Sequence, residues 1–181
     1  MHQSIGYTDY SLKKFFETAS KMPWYKNTLF IITADHTAIS EKSFYQNRVG
    51  LFSIPIIFYS PSDSLLHGKN KAIIQQIDIL PSVMDYLRYD LPYFAFGKSV
   101  FRNSGDGLAI SFIDETFQLL QDGYSLILRN NEKNSLFNFT VDSTLLKDLA
   151  GIDTIQEKKM ELELKSFIQN YNFALIHNEM K

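Results

Sequence analysis

The run Thr28-Leu29-Phe30-Ile31-Ile32-Thr33-Ala34 carries no charge, is rich in β-branched and aromatic side chains, and leads straight into Asp35-His36. A continuous apolar run of this kind predicts a strand buried on both faces, as in a parallel sheet covered by helices. Ile54-Pro55-Ile56-Ile57-Phe58-Tyr59 is a second such run, closed by Ser60-Pro61-Ser62-Asp63, and Pro55 suits only its start. Between the two lies Thr37 to Phe52, polar and irregular, with Gly50 near its end. A loop at the carboxyl end of a strand is where α/β folds build their sites.

Helical signals flank these runs. From Asp9 to Lys21, Leu12, Phe15, Phe16 and Ala19 recur at helical spacing, Thr8 or Asp9 can cap the start, and Met22-Pro23 ends the helix. Asp78 is placed to cap a helix from Ile79 to about Tyr89, with Pro81 in its first turn and Leu80, Val83, Met84 and Leu87 on one face, stopped by Leu91-Pro92. Beyond Gly97 the texture changes. Leu108–Ile113, Phe117–Leu120, Tyr124–Leu128 and Ser135–Val141 are short strand-like runs. Gly105-Asp106-Gly107, Asp122-Gly123 and Asn130-Asn131 punctuate them, predicting an antiparallel meander. From Ile155 to about Asn178, the stripe Met160, Leu164, Phe167, Ile168, Tyr171 and Leu175 predicts a long helix packed on the rest. Phe15, Phe16, Trp24, Phe58 and Phe167 are the simplest core aromatics.

Composition removes several classes of function. The 181 residues are 45% hydrophobic and 21% charged, enough apolar surface for a folded core. Eighteen Lys and Arg against twenty Asp and Glu leave a net charge of −2 with no basic segment, which argues against a nucleic-acid partner. The longest apolar runs fall far short of the roughly 20 residues that cross a bilayer. The N-terminal residues lack the charged start and apolar centre of a signal peptide, so no export signal is expected in the chain as written. With no Cys, disulfides, thiolate zinc sites and a cysteine nucleophile are excluded within it.

Asp35 and His36 are the candidate site. A carboxylate and an imidazole at the end of a rigid central strand can both reach a divalent metal above the sheet. The alternative is an Asp capping the next turn beside an exposed His. His2 sits at a terminus, His67 in a polar loop, and His177 at a helix end, where a cation favours the dipole. Ser40 and Glu41 either touch substrate or start a helix, and Arg48 either pairs with an anion or is a surface charge. There is no Gly-rich phosphate loop, no Gly-x-Ser-x-Gly elbow and no second Asp/His cluster, so the chain holds half a metal site and no assignable nucleophile.

Three blocks together resemble the sulfatases of the lipoteichoic acid synthase type, in the alkaline phosphatase superfamily. Tyr7-Thr8-Asp9 through Phe16, then Pro23-Trp24-Tyr25-Lys26-Asn27 through Asp35-His36, is similar to the run before and through that family's second metal-ligand pair. Ile54–Pro61 with Gln76-Ile77-Asp78-Ile79-Leu80-Pro81 resembles its next strand and helix. Phe96-Gly97-Lys98-Ser99-Val100-Phe101 and Phe167-Ile168-Gln169-Asn170-Tyr171-Asn172 resemble its C-terminal part. The resemblance implies that Asp35 and His36 ligate Mn²⁺, Mg²⁺ or a similar ion in an enzyme acting on phosphate or sulfate esters, lipid-linked ones included. It also implies that the parent enzyme is membrane-anchored with its catalytic domain outside the cytoplasm. In the family an acidic ligand, the nucleophile and a substrate-contacting His lie upstream of the helix that starts here. Thr8, Thr28 and Thr37 do not match the nucleophile, and Thr37 stands where many relatives have Gly.

The expected fold is therefore α/β: the C-terminal portion of an alkaline-phosphatase-like α/β sandwich with a small antiparallel β meander and a long C-terminal helix. Residues 1–181 are expected to form the C-terminal part of one sulfatase-like domain. Residues 1–101 would be the α/β part with the ligand pair, 102–153 the meander and 154–181 the helix. Alone the chain is expected to be catalytically inactive and to need the missing N-terminal half. The competing expectation is a non-catalytic binding or complementing module that keeps the fold.

Overall fold

The computed structural model describes residues 2–38, 40–102, 107–129 and 133–180. The chain divides into two compact units, one of residues 1–35 and 54–70 and the other of residues 36–53 and 71–181.

In the first unit, helix α1 (His2–Ala19) precedes strands β1 (Phe30–Thr33) and β2 (Ile56–Tyr59). The strands pair antiparallel, Phe30 opposite Tyr59 and Thr33 opposite Ile56. The parallel arrangement read from the apolar runs is thus corrected: these two strands form a two-stranded ribbon. A ribbon with a helix on it leaves one face open, so β1 is half-buried and Ile57 is 47% exposed. Pro55 immediately precedes β2, as its missing N–H requires. The unit is held by rings: Phe16 lies 5.1 Å from Phe30 and 5.8 Å from Tyr59, while the Tyr25 and Tyr59 hydroxyls meet at 3.0 Å. Each edge-to-face contact adds about 0.5–1.5 kcal/mol beyond area burial. Phe15 and Trp24, expected in the core, are about half exposed, with their rings 6.1 and 6.3 Å from that of Phe30. The helix starts earlier than Thr8 or Asp9, and the Thr8 hydroxyl donates to the Ser4 carbonyl inside it.

The second unit is built on the antiparallel sheet β3 (Leu108–Ile113), β4 (Thr116–Gln121), β5 (Tyr124–Arg129) and β6 (Ser135–Asn138), paired in chain order. This is the predicted meander. Asp122-Gly123 turns β4 into β5 with φ of 51° and 81°, the left-handed pair of a type I′ turn. Asp114-Glu115 does the same between β3 and β4, at 49° and 56°, without any glycine. Asn130-Asn131 and residues 105 and 106 of the Gly105-Asp106-Gly107 turn lie outside the described residues.

Helix α3 (Thr154–Ile176) is capped by Asp153, whose carboxylate accepts from the Gln156 N–H at 3.2 Å. It presses Met160 and Leu164 onto Leu119, Leu126 and Leu136, all with no solvent exposure. Burial of each such side chain favours folding by about 1.5–3 kcal/mol. Towards its end Ala174 is buried while Tyr171 and Leu175 are exposed, so the predicted stripe holds for its first turns only. No helix of the described residues is long and apolar enough to cross a membrane.

Helix α2 (Ile79–Tyr86) is entered through a 3₁₀ turn, Gln76–Asp78. Asp78 is therefore already inside the helical path and does not cap α2 with its side chain. Its carboxylate instead accepts from the Gln75 N–H at 2.9 Å and the Lys98 N–H at 2.8 Å, tying the helix start to the Phe96–Ser99 segment. Helix α2 stops before the predicted Leu91-Pro92. Arg88 takes φ 54°, its N–H reaches the Asp85 carbonyl, and the Tyr89 N–H reaches that of Met84. This is a Schellman motif with Arg where glycine is favoured. Of the predicted apolar face, Val83 and Met84 are half-buried, but Leu80 and Leu87 stand exposed, while Pro81 and Ser82 are buried.

Candidate functional site

Strand β1 delivers the candidate pair: Thr33 ends it, Ala34 follows, and both Asp35 and His36 are exposed. Asp35 ends the first unit's leading segment, and His36 opens the loop belonging to the second. The His36 Nδ1 stands 2.8 Å from the Thr37 carbonyl oxygen. A carbonyl only accepts, so this contact puts a proton on Nδ1, and the tautomer that matches it carries its lone pair on Nε2. That is the state in which metal-binding imidazoles are held, oriented by a hydrogen bond from the opposite nitrogen. Asp35, its neighbour in the chain, is also exposed, and carboxylate and imidazole are donor types that divalent ions such as Mn²⁺ or Mg²⁺ accept. No group of three or more His, Asp or Glu that could hold a metal occurs among the described residues.

The loop after His36 is ordered by its own chemistry. Thr37 donates both its N–H, at 3.1 Å, and its hydroxyl, at 2.9 Å, to the Leu51 carbonyl. Thr37 does not adopt a positive φ, so its backbone does not require glycine there. Leu51 is fixed because Gly50 sits against the backbone of Phe44 and Tyr45; a Cβ there would lie 1.9 Å from the Phe44 oxygen. Asn47 accepts from the Val49 and Gly50 N–H groups, each at 3.0 Å, and donates to the Ser143 carbonyl. Two 3₁₀ turns, Ser43–Gln46 and Gly50–Phe52, replace the irregular loop read from sequence.

Several of the other candidates make structural contacts. Arg48 donates to the Ile113 carbonyl at 2.8 Å, bracing the tight β3–β4 turn. The Ser40 hydroxyl accepts from the Lys42 N–H just ahead of the first 3₁₀ turn, and Glu41 is exposed. His67 closes the 3₁₀ turn Ser64–Leu66. His177 hydrogen-bonds the Phe173 carbonyl and stacks on its ring at 4.1 Å. The side chain of His2 is outside the described residues. The hydroxyls of Thr8, Thr28 and Thr37 all donate to backbone carbonyls, of Ser4, Trp24 and Leu51.

Comparison with known proteins places the helix, the strand and the pair together. Residues 2–89 match the family model described as sulfatase. That match takes in just under half of the chain, which there resembles a sulfatase. The chain also shares the fold of an alkaline phosphatase superfamily protein from Vibrio parahaemolyticus, at TM-score 0.75 and 22% identity over 95% of its length. It is similar to the phosphonate monoester hydrolase of Agrobacterium radiobacter, at TM-score 0.68 and 12% identity over 90%. A third similar structure holds its substrate D-glucosamine-2-N,6-O-disulfate, with TM-score 0.55 and 15% identity over 94%. The chain spans 41%, 39% and 39% of those three structures. No curated protein gives a significant match. The expected alkaline-phosphatase-like α/β fold is thereby established, with its small antiparallel sheets and long C-terminal helix.

Proposed function

We propose that Asp35 and His36 are two ligands of a divalent metal, Mn²⁺ or Mg²⁺, in a sulfatase-like enzyme acting on phosphate or sulfate esters. The observation that carries this reading is the contact between the His36 ring and the Thr37 carbonyl. The His36 Nδ1 faces that carbonyl, and the Asp before it stands two residues past the end of β1 within the sulfatase match. A divalent ion held there would neutralise charge on a tetrahedral oxyanion and lower the pKa of a bound hydroxyl. The residues of this chain orient the ligands: Leu51 holds Thr37, and Thr37 holds the ring.

The remaining ligands, the nucleophile and the substrate-contacting His belong, in this proposal, to a further part of a sulfatase domain that this chain does not contain. The lengths support it, since similar structures are more than twice as long. So does the apolar stripe of α1, whose Ile5, Leu12 and Phe15 are 40–56% exposed. By the resemblance of its motifs, the parent is of the lipoteichoic acid synthase type, membrane-anchored with its catalytic part outside the cytoplasm. It would act on a lipid-linked ester by phosphoglycerol transfer or hydrolysis.

Calorimetric titration of the chain with Mn²⁺ tests the ligand assignment. One ion is expected per chain, with affinity reduced about 10–100-fold in Asp35→Ala and His36→Ala. Retention of wild-type affinity in both variants would overturn it. Aryl phosphate and aryl sulfate should not be turned over by the chain alone, and metal-stimulated turnover abolished by Asp35→Ala would refute the need for a second part.

A further inference from the structure

A cleft in the second unit shares no residue with the Asp35–His36 pair. It encloses about 200 Å³ between the start of α2, the Phe96–Lys98 segment, β3 and α3. Phe96, Phe167 and Leu108 form its apolar walls, and Gln75, Asp78, Lys98 and Glu163 supply its polar groups. The aromatic surface runs on beyond it. Phe96 contacts Phe94 at 5.0 Å, Phe167 at 5.5 Å and Tyr171 at 5.3 Å, and the Phe167 and Tyr171 rings are near-parallel at 12°. Phe94 and Tyr171 are 36% and 42% exposed, so the ring surface is open to solvent.

The polar groups are of three kinds. The Gln75 carbonyl oxygen is used by the Ile110 N–H at 3.0 Å, which fixes the side chain and leaves its amide N–H groups as the donors. Lys98 can only donate, and the Asp78 and Glu163 carboxylates can only accept, Asp78 being already engaged by the Gln75 and Lys98 backbone N–H groups. Neither Lys98 nor Glu163 forms an ion pair among the described residues. A purely apolar guest would strand all three groups, an anion would meet Glu163, and a cation would meet Lys98. Hydroxyls both donate and accept, and so satisfy all three kinds at once. Axial C–H bonds of a saturated ring carry the partial positive charge that an aromatic face attracts. The volume is below the ~300–1,000 Å³ of a drug-sized site, which limits the guest to a single ring.

We propose that this cleft binds one polyhydroxylated six-membered ring, a monosaccharide unit, with its apolar face on Phe96 and Phe167 and its hydroxyls on Gln75, Lys98 and Glu163. The test is ligand-observed saturation-transfer NMR on the full chain with methyl β-D-glucopyranoside at millimolar concentration. Cyclohexanecarboxylate and cyclohexylamine serve as ring-matched charged competitors. Transfer to the glucoside ring protons is expected, weakened roughly five- to tenfold in Phe167→Ala. Glu163→Gln, a half-buried position altered without change of volume, should weaken it too and keeps the test valid if Phe167→Ala fails to fold. Absence of transfer in the wild-type chain, unchanged transfer in Glu163→Gln, or displacement of the glucoside by either competitor at equal concentration would overturn the assignment.

Discussion

Gly50→Ala separates the loop account from a generic packing effect. The added methyl would stand 1.9 Å from the Phe44 oxygen, 2.5 Å from its carbonyl carbon and 2.8 Å from the Tyr45 Cα. All three are backbone atoms, so no side-chain rotation can relieve the clash, and the two 3₁₀ turns must move apart. Overpacking of this kind costs about 1–3 kcal/mol, and the rigid neighbours put Gly50→Ala at the upper end. With a urea m-value of about 2 kcal/mol/M, the unfolding midpoint of the second unit should fall by about 1–1.5 M. Gly6→Ala is the control. Gly6 lies inside α1 with nothing within 4 Å of a built Cβ, and alanine there should gain about 0.5–1 kcal/mol. The loop reading adds a second consequence. Moving Gly50 displaces Leu51, which accepts both hydrogen bonds of Thr37, and Thr37 orients His36. Mn²⁺ affinity should therefore fall in Gly50→Ala under conditions where the chain remains folded, and stay unchanged in Gly6→Ala. A wild-type midpoint for Gly50→Ala, or a lost midpoint with wild-type Mn²⁺ affinity, would refute the chain of reasoning from Gly50 to His36.

Three further outcomes follow from particular contacts. Ser82 has no solvent exposure, donates to the Asp78 carbonyl at 2.5 Å and accepts from the Val100 N–H at 3.0 Å. Ser82→Ala strands that N–H and should cost about 1–3 kcal/mol by urea denaturation, whereas a neutral result would mean the Val100 N–H finds another partner. Arg88→Gly relieves a left-handed residue at φ 54° and should stabilise the chain by about 1 kcal/mol in the same assay; destabilisation would count against the Schellman assignment. The Asp148 carboxyl is partly desolvated, which works against its charged form. The Leu136 and Ala150 N–H groups outweigh this and hold its pKa below the ordinary carboxylate value. A depressed folded pKa contributes stability above the unfolded value of about 3.9 and loses it as pH falls through the folded one. The stability gap between wild type and Asp148→Asn should therefore be present at pH 6 and close on acidification below about pH 4. A gap that persists at about pH 2 would show that charge is not its source.

Local chemistry was the legible part of the fold. The meander was readable because each strand is short and the Asp122-Gly123 turn uses the residues a type I′ geometry favours. Asp114-Glu115 was not, since its left-handed conformation is imposed by the pairing of β3 with β4 and the Arg48 brace, not by its own propensity. Met160 and Leu164 announced the buried face of α3, but a 3.6-residue period drifts, and by Ala174 the inward position had moved off the assumed stripe. The direction of β1 against β2 was illegible, because an apolar run states burial and not orientation. At the site, Asp35-His36 stood out by following the strand. The elements that orient it, Thr37, Leu51 and Gly50, did not, because a backbone carbonyl and a missing Cβ leave no mark in a residue pattern. Arg48 drew attention through its charge, yet its guanidinium serves a carbonyl.

The central claim is that Asp35 and His36 bind one divalent metal, and paramagnetic broadening of histidine ring protons by substoichiometric Mn²⁺ tests it directly. The chain has four histidines, each giving its own ring signals. The account predicts that the His36 resonances broaden first, ahead of His67 and His177, and that Asp35→Ala removes this selectivity. Equal broadening of all the histidines, or selective broadening of His36 that survives Asp35→Ala, would contradict it.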